Sequence, residues 1–588
     1  MLKDKHKKKS GGCPWLMIAL LALIVISIGV GLNLSSNQAN ADTAATSVTV
    51  GNVVPVLSGD AAEATASADG TGLAGTAGNP INVGATVAIQ ATATDANGDA
   101  YKMLVCSSGS TSGVSCAATE LCADASTASG QQASCNYTGL QGDGPSVAWY
   151  VFVCDAVDCS ADPGNQGTGD SGSPIYVNHA ASFSAFSDNS PKLPSQAVTF
   201  SATASDDEAA GTDDNIKLYV CGDASGFTGG ETPACTGTTL CSSTPGTTNP
   251  TCDYNIANPK QDNTYVGKGY IVDSHGLVAG GDGQGLDAVL TVSNAIPTVS
   301  SVVLKDASGN LSLTEEGGAT TGFQVTYTVS DSNSCLNASA GNEIADGDIF
   351  VYRSSINFGG CSTTGDYNAN NCYPEQNTTW GTHDCVQDVG TCSGATDSDV
   401  NWTCTFPLQY HADHTEADGK FAGDTWMASI IAGDDNLASS TMAQTVSGVE
   451  MDPFMAYAAT STLAYGTLAP GATSTEATIN VSSTGNVGLD VRLYGTDMTA
   501  GEETIAVGQQ KYNLTSGRDW GGTGSTALGL EGGTLGVEVE LNIAKTTVTT
   551  AYAGAPIYWI IKIPDAQPAG AYTGTDTIMG VTGESANW

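Results

Sequence analysis

Three times along this chain, three cysteines recur at nearly one spacing and are followed two positions later by an aromatic residue. The sets are Cys116, Cys122 and Cys135 before Tyr137, Cys235, Cys241 and Cys252 before Tyr254, and Cys385, Cys392 and Cys404 before Phe406. Chance placement does not give that agreement, so the chain contains an internal repeat. Alternating runs precede the first two sets and end in Cys106 and Cys221, 115 residues apart, while Cys135 and Cys252 lie 117 residues apart. The module is therefore a little over a hundred residues long. In the third copy Arg353 stands where that earlier cysteine would be, and Cys335, Cys361 and Cys372 are added, so its bridges must be arranged differently.

Of seventeen cysteines, Cys13 precedes an apolar run, and the other sixteen divide as six, four and six among the repeats. An even number in each copy implies closed disulfides in an oxidising compartment. No two cysteines are spaced C-x-x-C and none has a histidine at ligand spacing, which argues against zinc. Cys154 and Cys159 straddle a turn that has neither cysteine in the second repeat; losing both together is what a bonded pair predicts, so they are expected to bridge. Cys106, Cys116, Cys122 and Cys135 then allow three connectivities.

Between the cysteines, Thr86–Thr94, Ala197–Thr203 and Phe323–Val329 alternate with period two, as half-buried strands do. Clusters of Gly, Asn, Asp and Pro separate such runs, so the class is all-β, with about seven short strands per repeat suiting a two-sheet sandwich. At 588 residues the chain is too long for one core. The junctions share a pattern around Asn52, Asn178 and Asn294, with a looser copy near Gly448. This organisation gives an N-terminal segment 1–41, sandwich modules 42–178, 179–294 and 295–450, and a cysteine-free C-terminal β-sandwich domain 451–588. Within the first module, 58–79 is rich in Ala, Gly and Thr and reads as a loose loop.

Lys3, Lys5, Lys7, Lys8 and Lys9 precede the apolar run Trp15–Leu34, which is long enough to form a membrane-spanning hydrophobic helix. The basic end stays in the cytoplasm and the rest is exported. Ala39 and Ala41 have the small-x-small form of a cleavage site, so 1–41 is either a signal peptide or a retained anchor. Past the first nine residues, 13 basic residues face 59 acidic ones. Such a surface repels nucleic acid and anionic lipid, and suits solubility, cation binding or a high-salt setting.

The run from Ala91 through Asp95 and Asn97 to Asp99, and the aromatic-rich late strand ending in Asp155, resemble the Ig-like modules of prokaryotic cell-surface proteins, of the PKD and cadherin-like kind, over about residues 50–450. The resemblance implies a spacer, adhesive or lattice role and partners among envelope or neighbouring-cell components. No nucleophile elbow, zinc-protease or phosphate-loop motif sits in a usable setting, so an enzyme is not expected. His411, Asp413, His414 and Glu416 have metal-like spacing but fall between strands, where a solvated loop is the expectation. Trp149 and Trp426 belong to core strands.

In such a sandwich the loop after the second strand and the turn after the sixth share one pole. Asp95, Asn97, Asp99, Asp155 and Asp158 occupy those places in the first module, Asp206 and Asp273 in the second, and Asp331 and Asp434 in the third, with Asn333 and Asp435 beside them. Oxygen donors of this kind suit calcium, while polar turns alone also favour Asp and Asn, so no cofactor is required by the residues. The reading is thus an extracellular, non-enzymatic, acidic rod for adhesion, an envelope layer or a stalk. Two alternatives stand beside it: a pilin-like filament subunit processed near Gly12, and a secreted carbohydrate-binding accessory.

Overall fold

A computed structural model describes residues 47–65, 74–160, 173–206, 214–230, 232–280, 284–305, 309–337, 341–375, 384–529 and 536–588. The expected N-terminal helix, cleavage site and Lys cluster lie outside these residues. The chain from Val54 to Trp588 forms one unit, and the account below concerns it.

The protein is all-β, and its strands build pairs of facing sheets. In 179–294 one sheet runs Ser182–Asp188, Ala197–Ser205, Thr251–Asn255, and its partner runs Thr239–Ser242, Ile216–Gly222, Thr264–Asp273, Leu286–Thr291. Every neighbour is antiparallel. The alternation read from sequence is the cause. Along Ala197–Ser205 the side chains of Val198, Phe200, Ala202 and Ala204 point inward while their neighbours stay partly exposed, and each inward residue removes apolar area worth about 25 cal/mol per Å².

The first repeat repeats this plan. Thr86–Thr94 pairs with Gln132–Thr138, Val56–Leu57 and Ala62–Glu63, opposite a sheet of Tyr150–Cys154, Lys102–Cys106 and Glu120–Ala123. The described parts of the stretch 58–79 are thus not simply a loop. Ala62–Glu63 adds a short strand to Thr86–Thr94, and Thr76 bridges Asn79, because apolar Ala61 finds a buried place in the core. The third repeat pairs Thr298–Lys305, Thr320–Ser330, Asp399–Gln409 and Asp384–Gln387 in one sheet, and Cys372–Pro374, Ile344–Arg353, Trp426–Asp434 and Ala443–Gln444 in the other. In the last part, Tyr457–Ala459, Ala477–Ser483, Gly554–Ile561, Gln510–Asn513 and Thr526–Ala527 face Val537–Ile543, Leu489–Gly495 and Asp576–Thr582.

Each sheet pair encloses its own core. Trp149 and Trp426 are fully buried, in the cores of the first and third repeats. Trp559 does the same in the C-terminal part.

All sixteen cysteines past residue 100 are bridged. Cys106–Cys116 and Cys122–Cys135 in the first repeat match Cys221–Cys235 and Cys241–Cys252 in the second, and Cys154–Cys159 closes the extra turn. In the first two repeats the Cys122–Cys135 type of bridge joins strands of opposite sheets. The third repeat moves Asp384–Gln387 into the sheet of Asp399–Gln409, so Cys385 lies directly across from Cys404 and bonds it. Cys392 then pairs with Cys335, and Cys361 with Cys372.

One acid is buried in the first core. Glu63 is 2% exposed, and burial pushes its carboxyl up to about 8, the nearby Trp149 indole offsetting part of the rise. A folded-state value above the unfolded one adds stability at low pH that is lost as pH rises from about 4.5 to about 8. The first repeat should therefore melt at lower temperature near pH 8 than near pH 5, and Glu63→Gln should flatten that slope. Calorimetry across this range checks it; an unchanged slope in the variant would remove Glu63 as the cause.

Candidate functional site

The sequence pattern around the linker asparagines becomes a repeated joint. Asn178 donates from Nδ2 to Asp273 Oδ2 at 2.9 Å and to Asn82 Oδ1 at 2.7 Å. Asn294 donates from Nδ2 to Asp434 Oδ2 at 2.8 Å. In both cases the acceptor is the aspartate that ends the sixth long strand of the sandwich just entered. The other oxygen of each aspartate closes the following turn, Asp273 Oδ1 accepting from His275 and Leu277 N–H and Asp434 Oδ1 from Ala438 N–H. Gly276 serves the first of these turns. Its φ is +77°, and a Cβ there would sit 2.6 Å from the Gly230 backbone, so only glycine fits.

The carboxylates expected at the poles differ in what surrounds them. In the first repeat Asp95 Oδ1 accepts the N–H groups of Asn97 and Asp99, and Asp155 Oδ1 those of Val157 and Asp158. These are turn-forming bonds. In the second repeat Asp214 meets His275 Nε2 at 3.0 Å and the Ser274 hydroxyl at 2.7 Å. Burial alone would raise the Asp214 carboxyl, but these two bonds and the His275 charge outweigh it and the net shift is downward. The same Asp214 contact raises His275 against its own burial, with Asp273 and Asp206 adding to the rise. Ser274 and His275 both bond the carboxylate rather than each other, so the group steadies a turn and is not a proton relay to a nucleophile.

At the entry to the third repeat several acids gather at one place. Asp262, from the preceding sandwich, and Glu343 and Asp435 place carboxylate oxygens within 4.8 Å of one another. Glu343 is 0% exposed, and neither of its oxygens has a hydrogen-bond donor. Asp331 is 2% exposed; its Oδ1 accepts from Asn333 N–H at 2.7 Å, and its Oδ2 has no donor. Burial, then the charges of Asp262, Asp435, Asp331 and Asp434, push Glu343 up to about 8. Burial, then the charges of Asp434, Asp262 and Asp435, push Asp331 up to about 6 against the Asn333 N–H bond. Among the described residues no Lys, Arg or His forms an ion pair with Asp262, Asp331, Glu343 or Asp434. Lys260 is close by in sequence, but its ammonium sits 3.7 Å over the Tyr265 ring.

Backbone contacts fix this pole across the joint. Asn333 Nδ2 donates to the carbonyls of Lys260 and Ser293 at 3.1 and 3.0 Å, and its Oδ1 accepts from Ala295 N–H. Gln261 Nε2 donates to the Leu336 carbonyl at 2.6 Å, and Asn436 Nδ2 to Asp262 Oδ2 at 2.6 Å. Sequence reasoning reached Asp331, Asn333, Asp434 and Asp435 but missed Asp262 and Glu343. Neither lies in a loop that the repeat pattern marks.

The expectation of a solvated loop at His411 is corrected by the structure. His411, Asp413 and His414 are all buried, while Glu416 is exposed. The cover comes from the C-terminal part: Lys545 Nζ donates to Asp413 Oδ1, Asn370 Oδ1 and the His411 carbonyl, and Trp588 packs edge-on against His414 at 4.6 Å. Burial and the Lys545 charge lower both histidines to about 4. Arg353, at the position of the missing cysteine, pairs with Asp413 and Asp424.

Among the described residues one other carboxylate group has ligand-like spacing: buried Asp490 with exposed Glu540 and Glu584. No family model matches the chain. No curated protein matches it either. Among solved structures it is similar to a crystal structure of a tetra-tandem repeat in the extending region of a large adhesion protein. The identity is 10%, the TM-score 0.24, and the match covers 85% of this chain and 96% of that one, a likeness too distant to transfer a function.

Proposed function

We propose that the protein is a non-enzymatic, extracytoplasmic surface protein in which Ig-like sandwiches, modules 42–178, 179–294 and 295–450, and the C-terminal domain 451–588 stand end to end as a rod for adhesion, an envelope layer or a stalk. The observation that carries this reading is the repeated joint, in which Asn178 and Asn294 each bond the aspartate that ends the sixth long strand of the next sandwich. A linker of two or three residues tied on both sides restricts hinge motion, and restricted joints turn a tandem array into a spacer. Eight disulfides support the export part of the reading, since such bonds persist in oxidising compartments.

The strand order in 179–294, first, second and fifth facing fourth, third, sixth and seventh, supports the Ig-like assignment. Small-angle scattering of the exported protein tests the rod. Strands of up to ten residues rising about 3.3 Å each give four modules a length of roughly 130 to 160 Å, and the dimensions of a single compact core would refute it. N-terminal sequencing separates the alternatives: a start at Asp42 means secretion, a start near Gly12 a pilin-like filament, and an uncut terminus an anchored rod with the membrane as partner.

A further inference from the structure

We infer that Asp262, Glu343 and Asp435, with Asp331 beside them, form a calcium site that joins the sandwich of 179–294 to that of 295–450. The physical case begins with Glu343. A fully buried carboxylate with no donor to either oxygen is costly unless a cation or a proton meets it. Two more acids, Asp262 and Asp435, place oxygens within 4.8 Å of it. Asp331 Oδ2 and Asn294 Oδ1 are two further buried oxygens of the same joint that lack donors. Lone pairs from five residues on both sides of one junction thus lack donors or converge on one another, and the donors that are present hold the outer atoms: Asn436 on Asp262 Oδ2, Asn333 N–H on Asp331 Oδ1.

The donor set selects the ion. All ligands are hard oxygens, with no histidine or cysteine among them, which disfavours zinc and copper. Calcium takes six to eight oxygens in loose geometry and accepts both oxygens of one glutamate, as Glu343 offers. Magnesium keeps most of its water and a stricter octahedron. The preceding joint shows the alternative solution. There Asp214 and Asp273 are crowded in the same way, and His275 supplies the positive charge at 3.0 Å; at the later joint, among the described residues, no Lys, Arg or His pairs with Glu343, Asp262 or Asp331.

This inference deepens the rod reading by giving one joint a ligand, and rests on it only for the compartment in which calcium is met. The test uses the whole exported chain, stripped with EDTA and dialysed against labelled calcium in buffer of physiological salt, beside the variants Glu343→Gln and Asp262→Asn. The wild type should bind one more calcium per chain at sub-millimolar concentration than either variant, and calcium should raise its melting temperature more than theirs. Asp262→Asn lies at the rim and keeps the test open should Glu343→Gln fail to fold. Equal stoichiometry in wild type and variants would overturn the site and mean that Glu343 and Asp435 share a proton instead. Equal occupancy by magnesium would overturn the choice of calcium. Either failure leaves the rod standing, and a compact scattering profile would sink the rod and leave the site.

Discussion

Replacing Cys335 and Cys392 together with alanine is expected to destabilise the third sandwich by about 4 kcal/mol, while the same change at Cys154 and Cys159 should cost the first about 2 kcal/mol. The difference follows from chain entropy. The first bridge closes a loop of 57 residues in sequence separation and the second a loop of only 5, and the freedom removed from the unfolded chain grows with the logarithm of loop length. Cys335 has a second role, because its N–H bonds the Asp397 carbonyl and its carbonyl accepts from Glu343 N–H. Opening that bridge therefore loosens the segment that carries Glu343 to the joint. For a sandwich of this size the larger loss corresponds to a fall in melting temperature of about 10 °C. Calorimetry of the two double variants measures it. Equal shifts would show that packing of the sulfurs in the folded state, not loop entropy, sets their contribution.

Much of the fold could be read before any coordinates because a sheet with one buried face writes its period into the sequence. Thr86–Thr94 was bounded correctly at both ends by alternation alone, and the structure buries Val87, Ile89, Ala91 and Ala93 on one side. The joints were legible as a pattern, Val followed by Asn178 or Asn294, but not as a device. What Asn178 bonds is Asp273, 95 positions on, and no local rule connects the two.

The candidate site divides in the same way. Asp331 follows the strand Thr320–Ser330 and Asp434 ends the strand Trp426–Asp434, so their common pole could be inferred. Glu343 follows a short hairpin, Leu336–Asn337 paired with Gly341–Asn342, outside the loops that the repeat pattern marks, and Asp262 belongs to the previous repeat. His411 and Asp413 read as a solvated loop for a related reason: the side chain that covers them, Lys545, comes 132 residues after Asp413. Spacing along a chain reports what neighbours do, and burial by a distant domain leaves no trace in it.

That covered cluster leads to the second large effect. Asp413→Asn is expected to cost about 3 to 5 kcal/mol and to separate the melting of the third sandwich from that of the C-terminal one. Asp413 is 3% exposed and stands between two cations, Lys545 Nζ at 2.8 Å and Arg353 Nε at 3.2 Å. Burial lowers the Lys545 ammonium, and the Asp413 charge and hydrogen bond oppose that shift. Taking away the carboxylate charge leaves a nearly buried lysine with only the neutral oxygens of Asn370 and His411, which hold its position but not its charge. Arg353 loses less, since Asp424 and the Phe421 ring, 3.8 Å from its guanidinium carbon, remain. Lys545→Met should accordingly cost less than Asp413→Asn, because Asp413 then keeps Arg353 as its partner. The two losses should also fall short of additive in the double variant, as expected of residues that share one network. Chemical denaturation of the three variants in the full chain gives the numbers. Should Asp413→Asn cost no more than an exposed ion pair, under about 1 kcal/mol, the lock between the last two sandwiches would have to come from the apolar contacts around Tyr410, Tyr552 and Trp588 instead.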